Sequence, residues 1–153
     1  MQSSPPIASP ETRPQSTGAP AIQRQFVNFA FFKLDPAFRR LAEKEKREAR
    51  QEFAAAIDER RQGLICLTYS TVGLRPDADL LLWRIGATSD EFQTQTAAIN
   101  KTRVGGYLTT PWSFVSMTKR SQYIDKVDPF HTAESRTHII PGKRKYLFVY
   151  PFV

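Results

Sequence analysis

The chain has 153 residues, of which 41% are hydrophobic and 12% aromatic, the composition of a globular protein large enough for a real core. Its net charge of +7, from 22 basic and 15 acidic residues, admits nucleic acid, anionic lipid or an acidic small molecule as partner and selects none of them. The single cysteine, Cys66, excludes an internal disulfide and a cysteine-based metal cluster, and fits a reducing cytoplasm.

Residues 1–23 are rich in Pro, Ser, Thr and Gln and hold no apolar run, so they cannot bury enough surface to offset their ordering entropy and read as a disordered tail. They lack the hydrophobic centre of a signal peptide, and no later stretch reaches the length of a membrane span.

Arg24 to Leu34 reads as a strand, with Phe26, Asn28, Ala30 and Phe32 on one face and Val27, Phe29 and Phe31 on the other. Apolar residues on both faces predict cover on both sides. Asp35-Pro36 opens a helix, through a carboxylate that can cap free N–H groups and a proline suited to the first turn. Helix formers run on to about Gln62, with an apolar stripe of Phe38, Leu41, Ala42, Ala49, Phe53, Ala56 and Ile57 and a charged, solvated opposite face. Gly63 stops it.

Leu64–Val72 is a second strand and Asp79–Ala87 a third, joined by a short turn at Arg75-Pro76-Asp77 that predicts an antiparallel pair. The third is nearly continuous in apolar residues and should be central. Thr88 and Glu91 have capping-box spacing, and a second helix follows to about Arg103, stopped by Gly105-Gly106. Tyr107–Thr118 is a fourth strand, in which Pro111 demands a bulge or a sheet edge. The order βαββαβ predicts an α+β, ferredoxin-like domain over residues 24–118, an antiparallel sheet with its helices on one face. Residues 119–142 read as a long connection. Residues 143–153 read as the first strand of a second, truncated domain, with Tyr146, Phe148 and Tyr150 on one face and Leu147 and Val149 on the other. The chain stops in mid-strand, which predicts the front part of something larger.

Motifs for chemistry are few. His131 and His138 lie seven apart without a cysteine or a carboxylate pair, so both read as surface histidines and no metal site is expected. There is no phosphate-binding glycine loop and no nucleophile elbow. An RNA-binding module of this topology would need a basic-Gly-aromatic-Gly-aromatic strand, which is missing, so no nucleic-acid partner is expected. Tyr150, read from its surroundings alone, is a packed ring with a hydrogen-bonded hydroxyl.

Three stretches together change that reading: Lys145-Tyr146-Leu147-Phe148-Val149-Tyr150-Pro151-Phe152-Val153, Pro76-Asp77-Ala78-Asp79-Leu80, and Gly106-Tyr107-Leu108 with Ser113-Phe114-Val115-Ser116. They resemble the chlorite dismutase family, in particular its coproheme decarboxylase branch, over roughly residues 24–153. The resemblance implies two ferredoxin-like halves, arranged as a dimeric α+β barrel in a homo-oligomer, a pentamer in the family. The second half would carry the haem and its axial histidine, so the axial ligand is not in this chain. It implies a porphyrin substrate, iron-coproporphyrin, oxidatively decarboxylated to haem b with peroxide. Tyr150 matches the redox-active tyrosine of the decarboxylases, where chlorite-degrading members carry an aliphatic residue. Arg136 falls near a propionate-binding arginine, and Arg136 with the Lys143-Arg144-Lys145 cluster suits the carboxylates of a porphyrin, although those three cations read first as a solvated basic turn. Two alternatives stand beside the decarboxylase: a non-catalytic assembly module lacking the haem half, and a chlorite-degrading haem enzyme.

Overall fold

A computed structural model describes residues 24–59, 63–119, 138–142 and 145–150. The tail before Arg24, His131, Arg136, Lys143, Arg144 and the last three residues lie outside the described residues.

The β-branched and aromatic runs form four strands: β1 (Phe26–Leu34), β2 (Ile65–Ser70), β3 (Leu80–Gly86) and β4 (Leu108–Met117). They make one sheet in the order β2-β3-β1-β4, with all three pairings antiparallel. Two helices, α1 (Glu43–Glu59) and α2 (Asp90–Asn100), complete the ferredoxin-like pattern. Pro111 satisfies both of its expectations: β4 is an edge strand, and its register against β1 shifts between Phe31 and Lys33.

The face of β1 carrying Ala30 and Phe32 packs with Leu82 and Cys66 against Ile57 of α1 and Ile99 of α2. Phe32 and Leu82 are 1% and 0% exposed, and burial of each side chain contributes roughly 1.5–3 kcal/mol.

The helix predicted from Pro36 to Gln62 is broken. Asp35 Oδ1 accepts from Ala37 N–H at 2.7 Å, as a capping carboxylate should, but what it caps is a 3-10 turn at Pro36–Arg40. Leu41 is extended, and α1 starts afresh at Glu43 with Glu45 Oε2 accepting from Ala42 N–H at 3.1 Å. The break lets Phe38 and Ala49 meet Val104 in one cluster, and Ala42, which an unbroken stripe would bury, is exposed. On the charged face, Glu48 and Glu52 reach Arg103 beyond the end of α2, at 3.5 and 3.6 Å. The α2 capping box is half formed: Glu91 Oε2 accepts from Thr88 N–H at 3.4 Å, and no side chain caps from Ser89. Helix α2 stops at Asn100, three residues short of expectation, and a 3-10 turn at Gly105–Tyr107 leads into β4.

Candidate functional site

The helix-free face of the sheet carries most of the aromatic surface, because the odd-numbered residues of β1 and β3 point there together. Phe29 stacks on Trp83 with ring centroids 6.0 Å apart, Phe31 meets Phe114 edge-on at 6.3 Å, and Trp112 stacks on Phe114 at 6.2 Å. Arg75 lies over the Phe31 ring, 5.5 Å from its centroid. The Trp83 indole N–H is buried with no acceptor among the described residues.

The segment Pro76–Leu80 builds the rim of that face. Asp77 accepts from Arg75 at 2.9 and 2.6 Å and from Trp112 Nε1 at 2.6 Å. Those bonds, Arg75 first and Trp112 second, hold its carboxyl well below the usual carboxylate range. Asp79 accepts from Leu34 N–H and Lys33 Nζ, each at 3.0 Å. Its partial burial acts to raise its pKa, but the Leu34 and Lys33 bonds together outweigh that and leave it lowered. Asp79 thereby pins the end of β1 to the start of β3. Ala78, between the two aspartates, is wholly buried under the aromatic face.

The segment Lys145–Tyr150 packs on this face. Its alternation is the predicted one: Leu147 and Val149 pack on Phe31, Ala78 and Leu81, while Tyr146, Phe148 and Tyr150 face outward, 70%, 74% and 71% exposed. It makes no ladder with the four strands, so among the described residues it is held by side-chain packing and is not a fifth strand of the sheet. The rings of Phe148 and Tyr150 are stacked, 6.4 Å apart and within 13° of parallel, and Lys145 Nζ lies 5.4 Å from the Tyr146 ring centre.

Tyr150, the sequence candidate for chemistry, is therefore an accessible phenol at the end of an outward aromatic row, not a core ring. Arg136 lies outside the described residues, so nothing places it beside Tyr150. His138 is exposed, and no group of three metal-ligating side chains occurs among the described residues. Sequence reasoning passed over Arg84, a fully buried guanidinium on the opposite side of the sheet. The signal was present, since Arg84 is the one charge on the face of β3 that carries Leu80 and Leu82.

The family profile described as chlorite dismutase matches residues 46–153. The chlorite dismutase of Ideonella dechloratans is 27% identical over 122 residues, covering 80% of this chain and 42% of that protein. The coproheme decarboxylase of Staphylococcus carnosus (strain TM300) is 26% identical over 148 residues, 89% of this chain and 58% of that one. This chain thus spans about half the length of those relatives. Among solved structures, the chlorite dismutase of Candidatus Nitrospira defluvii in complex with imidazole superposes with a TM-score of 0.64 at 22% identity, over 67% of this chain and 43% of that chain. A heme-binding protein from Thermus thermophilus gives 0.55 at 23%, over 61% and 40%. With its profile matched over more than two thirds of its residues and its fold shared, the chain belongs to the chlorite dismutase family.

Proposed function

We propose that the chain supplies the first half of an enzyme that decarboxylates iron-coproporphyrin III to haem b with peroxide, and that Tyr150 is its catalytic residue. The observation that carries this is the exposed, stacked Phe148–Tyr150 pair on a segment whose other side chains are anchored in the aromatic face. The similarity to a coproheme decarboxylase over 89% of the chain supports it.

The residues present suit a flat, apolar, polyanionic disc. Tyr146, Phe148 and Tyr150 offer aromatic surface, and Lys145 offers a cation for a propionate. Arg136 is a proposed second propionate contact. Peroxide-treated substrate supplies the oxidising power when bound. The Tyr150 hydroxyl gives up one proton and one electron, and the phenoxyl oxygen then takes a hydrogen atom from the propionate side chain, which restores the phenol. Loss of carbon dioxide, with the second electron returned to the iron, leaves a vinyl group. For each propionate, one carboxylate, one peroxide and one proton become one vinyl group, one carbon dioxide and two waters.

The axial ligand and the cover over the aromatic face come, in this proposal, from a haem-binding half, in a cytoplasmic homo-oligomer. Among the described residues no helix is long and apolar enough to cross a membrane. A chlorite-degrading activity is the second reading, favoured by the similarity to chlorite dismutases. The two readings separate when the protein carrying both halves is given iron-coproporphyrin with peroxide, or haem with chlorite. Stepwise loss of carbon dioxide supports the first, and oxygen release from chlorite with no propionate loss overturns it.

A further inference from the structure

Arg84 projects from β3 to the helix side of the sheet, away from Tyr150, and is 3% exposed. Among the described residues its hydrogen-bond acceptors are all neutral. Nε and Nη2 donate to Asn28 Oδ1 at 2.9 and 2.6 Å, and Nη1 donates to Thr96 Oγ1 at 2.8 Å, to Phe92 O at 3.1 Å and to Gln95 Oε1 at 3.4 Å. No carboxylate pairs with it among the described residues. The Phe92 ring lies beside it, 5.5 Å from centroid to guanidinium carbon. A guanidinium has five N–H donors, two of them on Nη2, and Nη2 has one acceptor, Asn28 Oδ1, among the described residues. Burial lowers the Arg84 pKa, and the Cys66 thiol, its register partner on β2, acts in the opposite direction without outweighing it.

Arg84 is also among the residues lining a groove of about 450 Å³ between α2 and the edge strand β4. The groove's other polar lining is neutral: Asn28, Ser89, Gln93, Asn100 and Ser113, with Thr96 bonded to Arg84. Asp90 and Glu91, the acids in the first turn of α2, do not line it, and the Glu91 carboxylate is turned to Thr88 N–H. A buried, hydrogen-bonded cation with no carboxylate partner among the described residues, lining an open groove that also carries hydroxyls and amides, has the chemistry of an oxyanion receptor.

We infer that this groove binds a small oxyanion, phosphate or carboxylate, with Arg84 supplying the charge and Ser113, Gln93 and Asn100 the surrounding donors. The site is separate from Tyr150 and does not depend on the proposed decarboxylation. It is tested on the 153-residue chain without touching Arg84, whose loss would also break the Asn28 network. Inorganic phosphate and sodium acetate are titrated in turn at an ionic strength held constant with chloride, following the Arg84 Nε–H resonance. Saturable movement is expected with at least one of them, and which one identifies the oxyanion class. Ala97, exposed on α2 and lining the groove, is then replaced. Ala97→Glu should weaken binding by about tenfold through like-charge repulsion at close range, while Ala97→Gln should stay within about twofold. An Arg84 resonance unmoved by both anions, or equal affinity in the two variants, overturns the site and leaves Arg84 a structural hub.

Discussion

Trp112 and Asp77, thirty-five positions apart, meet in an indole N–H···carboxylate bond of 2.6 Å that carries the edge strand β4 over to the turn before β3. Arg75 grips the same carboxylate and lies over Phe31 of β1, so one small cluster ties β4, β1 and the β2–β3 turn at the rim of the aromatic face.

That cluster makes stability depend on acid. The ordinary Asp77 pKa is 3.8 and its folded value is lower, as is that of Asp79. A lowered folded pKa gives stability that is fully present above the unfolded value and lost as pH falls through the folded one. Urea midpoints should therefore be level from about pH 7 to 5 and fall below about pH 4. Asp77→Asn should lower the neutral-pH midpoint and flatten the acid limb. An acid limb as steep as the parent's would show that Asp77 is not its source.

Leu82→Ala should cost about 2–5 kcal/mol in a denaturation series, because Leu82 is wholly buried between β1 and the helices. Tyr150→Phe removes one exposed hydroxyl and should cost less than about 1 kcal/mol. Equal losses would contradict the outward orientation of Tyr150.

Two adjacent glycines should behave oppositely. A methyl at Gly105 would lie 2.2 Å from the Ile99 carbonyl oxygen, so Gly105→Ala must shift backbone and should destabilise by more than about 1 kcal/mol. At Gly106 a methyl meets nothing within 4 Å, and Gly106→Ala should be neutral or stabilising by up to about 1 kcal/mol. Thermal midpoints of the two variants decide this.

The strands were legible because their alternation is strong. Phe29 and Phe31 on one face of β1, and Ala30 and Phe32 on the other, announced a sheet with a second apolar face, and Leu147 and Val149 partly cover it. The break at Leu41 was not legible, since Ala42 through Lys46 are all compatible with continued helix and only the packing of Phe38 and Ala49 on Val104 decides it. The alternation of residues 146–150 was readable, yet its lack of ladder bonds was not, because pairing depends on a neighbour that local pattern does not name. For Arg84, hydropathy marks only a charge in an apolar strand, and the neutral acceptors that hold it come from β1 and α2.

The most direct measurement is propionate loss from iron-coproporphyrin on addition of peroxide, followed by mass spectrometry, in parent and Tyr150→Phe forms of the protein carrying both halves. Porphyrin affinity and folding should be nearly equal in the two, because phenylalanine keeps the stacked ring against Phe148. The parent should lose carbon dioxide stepwise, while Tyr150→Phe, which has no phenol to oxidise, should fall by about a hundredfold or more, the scale of losing a catalytic group. If Tyr150→Phe turns over like the parent, Tyr150 is a packing residue and the decarboxylase assignment fails.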